Sequence, residues 1–279
     1  MTLDPVPTAT GTIDYYPYIE SEYRSPRPVE VWLPEGYESS PGERYPVLYM
    51  HDGQFLFHHG SKLLETDWLW DVDITMTRLI ENGEIRPAIV VAVWAGLDEK
   101  PNRGLEYMPQ KPVGEMMISR KRVFKGEEVI SDNYLKFLVH DLKSFIDKTY
   151  RTLPDRENTL VSGSSMGAMI SAYVISEYPN VFGGAACLST YWNMGEGVVL
   201  TWFKEHWPEA GAHRIYFDHG TETYDADHER YQLKMDDVMR SKGYRSGEDW
   251  ISRKFEGADH SPRAWRERFH IPLKFLLGN

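Results

Sequence analysis

A chain of 279 residues, 41% hydrophobic and 26% charged, is long enough to bury a substantial core within one domain. Its 31 Lys and Arg stand against 42 Asp and Glu, a formal charge of −11, and a surface of that sign argues against nucleic acid and anionic membranes as partners. The single cysteine, Cys187 in the apolar run Ala185-Ala186-Cys187-Leu188, rules out an internal disulfide and a paired-cysteine metal site.

Taken in chain order, residues 1–10 read as a flexible N-terminal arm. They show no basic segment followed by an apolar one, and no run of 18 apolar residues follows anywhere, so a cytoplasmic chain that does not span a membrane is expected. Residues 11–279 read as a single domain. Strands are expected at 12–20 and 28–33 with no helix between them, which suggests an antiparallel start to the sheet. A buried strand at 45–50 leads straight into His51-Asp52-Gly53-Gln54. Apolar residues at Trp68, Val72, Met76, Leu79 and Ile80 fit a helix over 68–81. Residues 87–94 form an uninterrupted apolar strand of the central parallel type.

Periodicity is lost over 95–132. A stretch of that length is expected to act as a binding loop or lid packed partly over a substrate pocket, and it carries a basic cluster of Lys111, Arg120, Lys121, Arg122 and Lys125. An amphipathic helix follows through Leu135–Ile146, then a strand at 158–162 and a helix at 166–178. Further strands are expected at 183–189, 213–218 and 251–256, with helices at 226–242 and 263–277. Strands alternating with helices indicate an α/β fold, a mostly parallel sheet with helices on both faces.

Between the strand at 158–162 and its helix lies Gly163-Ser164-Ser165-Met166-Gly167, a match to G-x-S-x-G in the strand–turn–helix context that gives the motif meaning. A serine projecting from so sharp a turn needs small neighbours two residues to either side. The helix N-terminus behind Ser165 aims N–H groups at any anion formed there. A nucleophile needs a base, a group orienting that base, and oxyanion donors. In α/β hydrolases the order is Ser, Asp or Glu, then His. His260, on the loop after the last strand, fits the base. For the acid, Asp225 ranks first and Glu222 second. The backbone N–H of Met166 and that of Gln54, next to the flexible Gly53, suit the oxyanion. Trp192 follows a strand end on the same edge and is expected in a substrate pocket, while Trp202 and Trp207 fit a core or a pocket wall equally well. The remaining histidines form no metal-ligand pattern, so no metal is expected, and chemistry at a serine of this kind needs no cofactor.

These motifs resemble the putative-esterase family of α/β hydrolases, a group including enterochelin, feruloyl and acetylxylan esterases, esterase D and the antigen 85 mycolyltransferases. The resemblance runs through His51-Asp52-Gly53-Gln54, Arg103 with Glu106-Tyr107 and Pro109, Tyr150-Arg151-Thr152-Leu153-Pro154, the Gly163–Gly167 elbow, Gly220-Thr221 and Asp259-His260-Ser261. It implies an α/β-hydrolase fold and a triad of Ser165, the acid after Gly-Thr and His260. The residue after Asp-Gly then supplies an oxyanion N–H. The expected activity is that of a serine carboxylesterase on a small-molecule acyl ester, carbohydrate-linked or aryl. Acyl transfer and a non-catalytic binding module are the alternatives, and a homo-oligomer remains an option. Two departures stand out: Ala168 replaces a common third glycine, and the acid lies five residues past Gly220, farther than in many members.

Overall fold

The computed structural model describes residues 6–8, 11–96, 103–115 and 127–278. Nine strands form one sheet: β1 (Val6–Thr8), β2 (Gly11–Ile19), β3 (Arg27–Leu33), β4 (Val47–His51), β5 (Ile89–Val93), β6 (Thr159–Ser164), β7 (Gly184–Leu188), β8 (Arg214–His219) and β9 (Trp250–Lys254). Their order across the sheet is β1-β2-β3-β5-β4-β6-β7-β8-β9. The first three pair antiparallel, as does β3 with β5. From β5 to β9 all pairs are parallel. Within the span expected to be a loose arm, Val6–Thr8 is therefore an edge strand, zipped to β2 through Val6 opposite Ile13.

The strand sequences explain the layering. In β4, β5 and β6 every residue is buried, as two-sided coverage requires. Alternate side chains part to opposite faces. Tyr49, Val91, Val161, Cys187 and Phe217 enter one core, with the helices Met166–Glu177 and Glu229–Ser241. Leu48, Val90, Leu160, Ala186 and Tyr216 enter the other, against the helices Val72–Glu81 and His270–Leu277. The helix Met166–Glu177 is buried continuously from Gly167 to Ile175, which is why its sequence is apolar all round rather than striped.

Three expectations about elements shift. The helix placed at 68–81 starts at Val72, because Asp71 at φ 51° breaks the backbone ahead of it. The stretch 95–132 contains two short helices, Arg103–Tyr107 and Gln110–Glu115. Residues 116–126, with most of its basic cluster, lie outside the described residues. The last helix divides into Pro262–Arg268 and His270–Leu277. Pro272 has no N–H to donate, so it suits the first turn of a new helix rather than the interior of a long one.

Candidate active site

The carboxyl ends of β4, β5, β6, β8 and β9 converge on a cavity of about 610 Å³. At the end of β4 the chain turns through Asp52 at φ 57° into the single turn Gly53–Phe55. A Cβ at Gly53 would lie 2.5 Å from the Ala92 carbonyl carbon of β5, so only glycine lets this turn pass so close to the neighbouring strand. Gln54 lines the cavity, and its side-chain oxygen accepts the Ala95 N–H at 3.1 Å, which locks the turn to the end of β5.

Ser165 lies between β6 and its helix at φ 56°, ψ −117°, a conformation that L residues avoid. Its N–H donates to the Leu188 carbonyl at 2.9 Å, and its own carbonyl accepts from Met169 at 3.1 Å and Tyr191 at 3.3 Å, which hold the turn on both sides. A Cβ at Gly163 would stand 2.6 Å from the Gly167 carbonyl group, so the elbow closes only with glycine there. Met166 is the first residue of the helix, where N–H groups have no intrahelical acceptor.

His260 and Ser165 line the same cavity. His260 Nδ1 bonds Asp225 Oδ1 at 2.6 Å, and the His260 N–H donates to Thr223 Oγ1 at 2.9 Å. The ring meets Trp265 edge-on, with centroids 4.9 Å apart. Asp225 Oδ2 accepts from the Ser189 hydroxyl at 2.6 Å and from the Gly220 N–H at 2.7 Å. Burial alone would raise the Asp225 pKa. The His228 and His260 imidazoles, the Ser189 hydroxyl and the Gly220 N–H together outweigh it and hold the carboxyl well below the usual range. An ionised Asp225 can only accept, so His260 donates to it from Nδ1. The competing acid, Glu222, is exposed, its N–H tied to the Ala258 carbonyl.

Ser189 was invisible in the sequence, having neither a motif nor a periodic position. Its hydroxyl also accepts from Trp265 Nε1 at 3.0 Å and Arg268 Nη2 at 2.9 Å. One donor and two acceptor positions are thus all used. Arg268 in turn grips Asp218, so the acid is tied through one hydroxyl to a buried ion pair. Asp52 likewise accepts two bonds from Arg103, at 2.6 and 2.7 Å.

Trp192 requires a correction of position. It is 1% exposed, packs edge-on against Phe203 and Phe217, and donates its indole N–H to Gln232 at 2.9 Å. The chain after β7 turns inward, so the strand-end argument placed this side chain on the wrong side of the loop. Trp202 and Trp207 are core residues too. The tryptophans that line the cavity are Trp68, Trp70 and Trp265, with Phe55 and Tyr224. The helix expected over 68–81 spans Trp68 and Trp70, whereas the observed one begins after them, at Val72.

The parallel sheet, the serine turn after β6 and the acid and histidine after β8 and β9 define an α/β hydrolase. The chain belongs to the family described as "Putative esterase", whose model matches residues 21–275, and is thereby an ester hydrolase. It is 31% identical over 172 residues to the endo-1,4-beta-xylanase/feruloyl esterase of Xylanibacter ruminicola, an overlap of 60% of this chain and 19% of that protein. Among solved structures it resembles a ferulic acid esterase (TM-score 0.70, 18% identity, 96% of this chain and 98% of the other). It also resembles the enterobactin esterase of Shigella flexneri (TM-score 0.67, 19% identity, 97% and 60%). Among the described residues no helix is long and apolar enough to cross a membrane.

Proposed function

We propose that the chain is a serine carboxylesterase that cleaves neutral aromatic acyl esters through an acyl-enzyme. The observation that carries this reading is the 2.6 Å bond from His260 to a buried Asp225, on the wall of the cavity that also holds Ser165. In this reading Ser165 Oγ adds to the ester carbonyl as His260 Nε2 takes its proton. The Met166 and Gln54 N–H groups receive the oxyanion. Collapse expels the alcohol, protonated by His260, and water repeats the sequence to release the acid. Asp225 keeps the imidazole in its tautomer and stabilises it when charged.

The cavity wall supports the substrate class. Five aromatic side chains line it. The charged side chains lining it, among the described residues, are Asp52 and Arg103, which neutralise each other. A neutral aryl group finds stacking surfaces there, whereas a free carboxylate finds no unpaired cation among the described lining residues. The relative with a feruloyl esterase portion agrees with that class.

A panel of chromogenic esters from acetyl to octanoyl, with feruloyl, tests the proposal. Feruloyl should give the highest kcat/KM, and Ser165→Ala should lower turnover by about three orders of magnitude or more. Wild type, but not the variant, should react with a fluorophosphonate probe. A variant that keeps more than about a tenth of the activity removes Ser165 from the mechanism.

A further inference from the structure

Asp225 faces a second imidazole. His228, 2% exposed at the start of the helix Glu229–Ser241, places Nδ1 3.0 Å from Asp225 Oδ1, the oxygen that His260 already bonds. The approach misses hydrogen-bond geometry, so among the described residues this buried nitrogen has no hydrogen-bond partner. The two imidazoles stand nearly perpendicular, at 87° with centroids 5.7 Å apart. One ligand atom from each of Asp225, His228 and His260 lies within 4.8 Å of the other two.

A carboxylate and two imidazoles suit a borderline divalent cation, Zn²⁺ foremost, at bond lengths of about 2.0–2.2 Å. A tetrahedral centre with such bonds spaces its ligand atoms about 3.4 Å apart, and the two imidazole nitrogens stand 2.6 and 3.0 Å from Asp225 Oδ1. Entry is through the cavity, where His260 is part-exposed, and water can take the fourth position.

We propose that Asp225, His228 and His260 form an inhibitory Zn²⁺ site. The inference rests on the reading of Asp225 and His260 as the catalytic pair, because the cation takes both from it. When Nδ1 of His260 bonds the metal, its proton passes to solvent. Nε2 takes one proton back from solvent, so the neutral ring carries its single proton there. Nε2 becomes a donor and no longer accepts the proton of Ser165.

Calorimetric titration of Ser165→Ala with ZnCl₂ reads binding without turnover. It should show one Zn²⁺ per chain. His228→Gln in that background should weaken binding at least about tenfold, and His58→Gln, at an exposed histidine, should leave it unchanged. In wild type, Co²⁺ should give the intense visible absorption of a four-coordinate site, a result that stands even if the His228 variant does not fold. Zn²⁺ should block fluorophosphonate labelling, and chelation should restore it. No binding below about 1 mM, equal affinity in the His228 variant, or the weak spectrum of six-coordinate cobalt would each overturn the site. Failure of the metal-free wild type to react with the phosphonate would instead remove the catalytic reading, which the calorimetry does not touch.

Discussion

Both oxygens of Asp225 are occupied, Oδ1 by His260 and Oδ2 by Ser189 and the Gly220 N–H. An amide at this position has only one acceptor oxygen. In Asp225→Asn that oxygen satisfies Ser189 and Gly220, which turns the NH₂ toward His260 Nδ1 and forces the wrong tautomer on the ring. The variant should keep its fold and lose about 10⁴ in kcat. Glu222→Gln, at an exposed side chain, should stay within about twofold of wild type. Steady-state kinetics on one aryl ester checks both, and the reverse ranking would move the acid to Glu222. The sequence alone ranked these two by loop position only. What separates them, burial against a serine 36 residues away in the chain, is a tertiary fact with no local signature.

The helix Arg103–Tyr107 is only five residues long, too short to show a period, and so it was legible only as part of an aperiodic stretch. Its anchorage is electrostatic. Glu106, fully buried, accepts from Arg27 at 2.6 and 3.0 Å and from Arg24 at 2.9 Å. Burial of Glu106 opposes its charge, and the two guanidinium groups prevail, so its pKa is lowered. Glu106→Ala would strand the buried Arg27 without its partner and should cost about 3–5 kcal/mol in urea unfolding. It should also raise KM, because the same helix delivers Arg103 to Asp52 in the cavity wall. Stability loss under about 1 kcal/mol would mean that Arg27 finds solvent or another acceptor. Longer elements were easier to read. The unbroken apolar run of β5 and the 3.6-residue period of the helix Glu229–Ser241 each extend over enough residues to show. The tryptophans were misplaced because indole is equally at home in a core and in a pocket, and only the path of the loop decides.

At the scale of the whole molecule, the parallel strands bring residues from 52 to 260 to one edge, where open α/β sheets hold their ligands. The same packing buries His51 at the end of β4, directly before the Asp52 turn. Its Nδ1 shares a 2.7 Å hydrogen bond with Tyr134 Oη, the Tyr107 ring lies beside it, and Nε2 has no hydrogen-bond partner among the described residues. Burial first, and the nearby Arg103 charge second, push its pKa down to about 3 from the ordinary 6.5. In the unfolded chain the same imidazole takes up a proton below about pH 6.5, while the folded one stays neutral. Its contribution to stability is therefore complete above that pH. It falls by about 1.4 kcal/mol per unit as the pH drops toward 3. Between pH 7 and pH 5 the loss from this group should be about 2 kcal/mol. His51→Gln removes the titration while leaving the other ionisable groups in place. The urea-unfolding free energy of the variant should therefore drop about 2 kcal/mol less over that interval than wild type, whatever its absolute stability. Parallel pH profiles for the two proteins would show that the folded state takes up the proton too, by opening the wall between β4 and Tyr134.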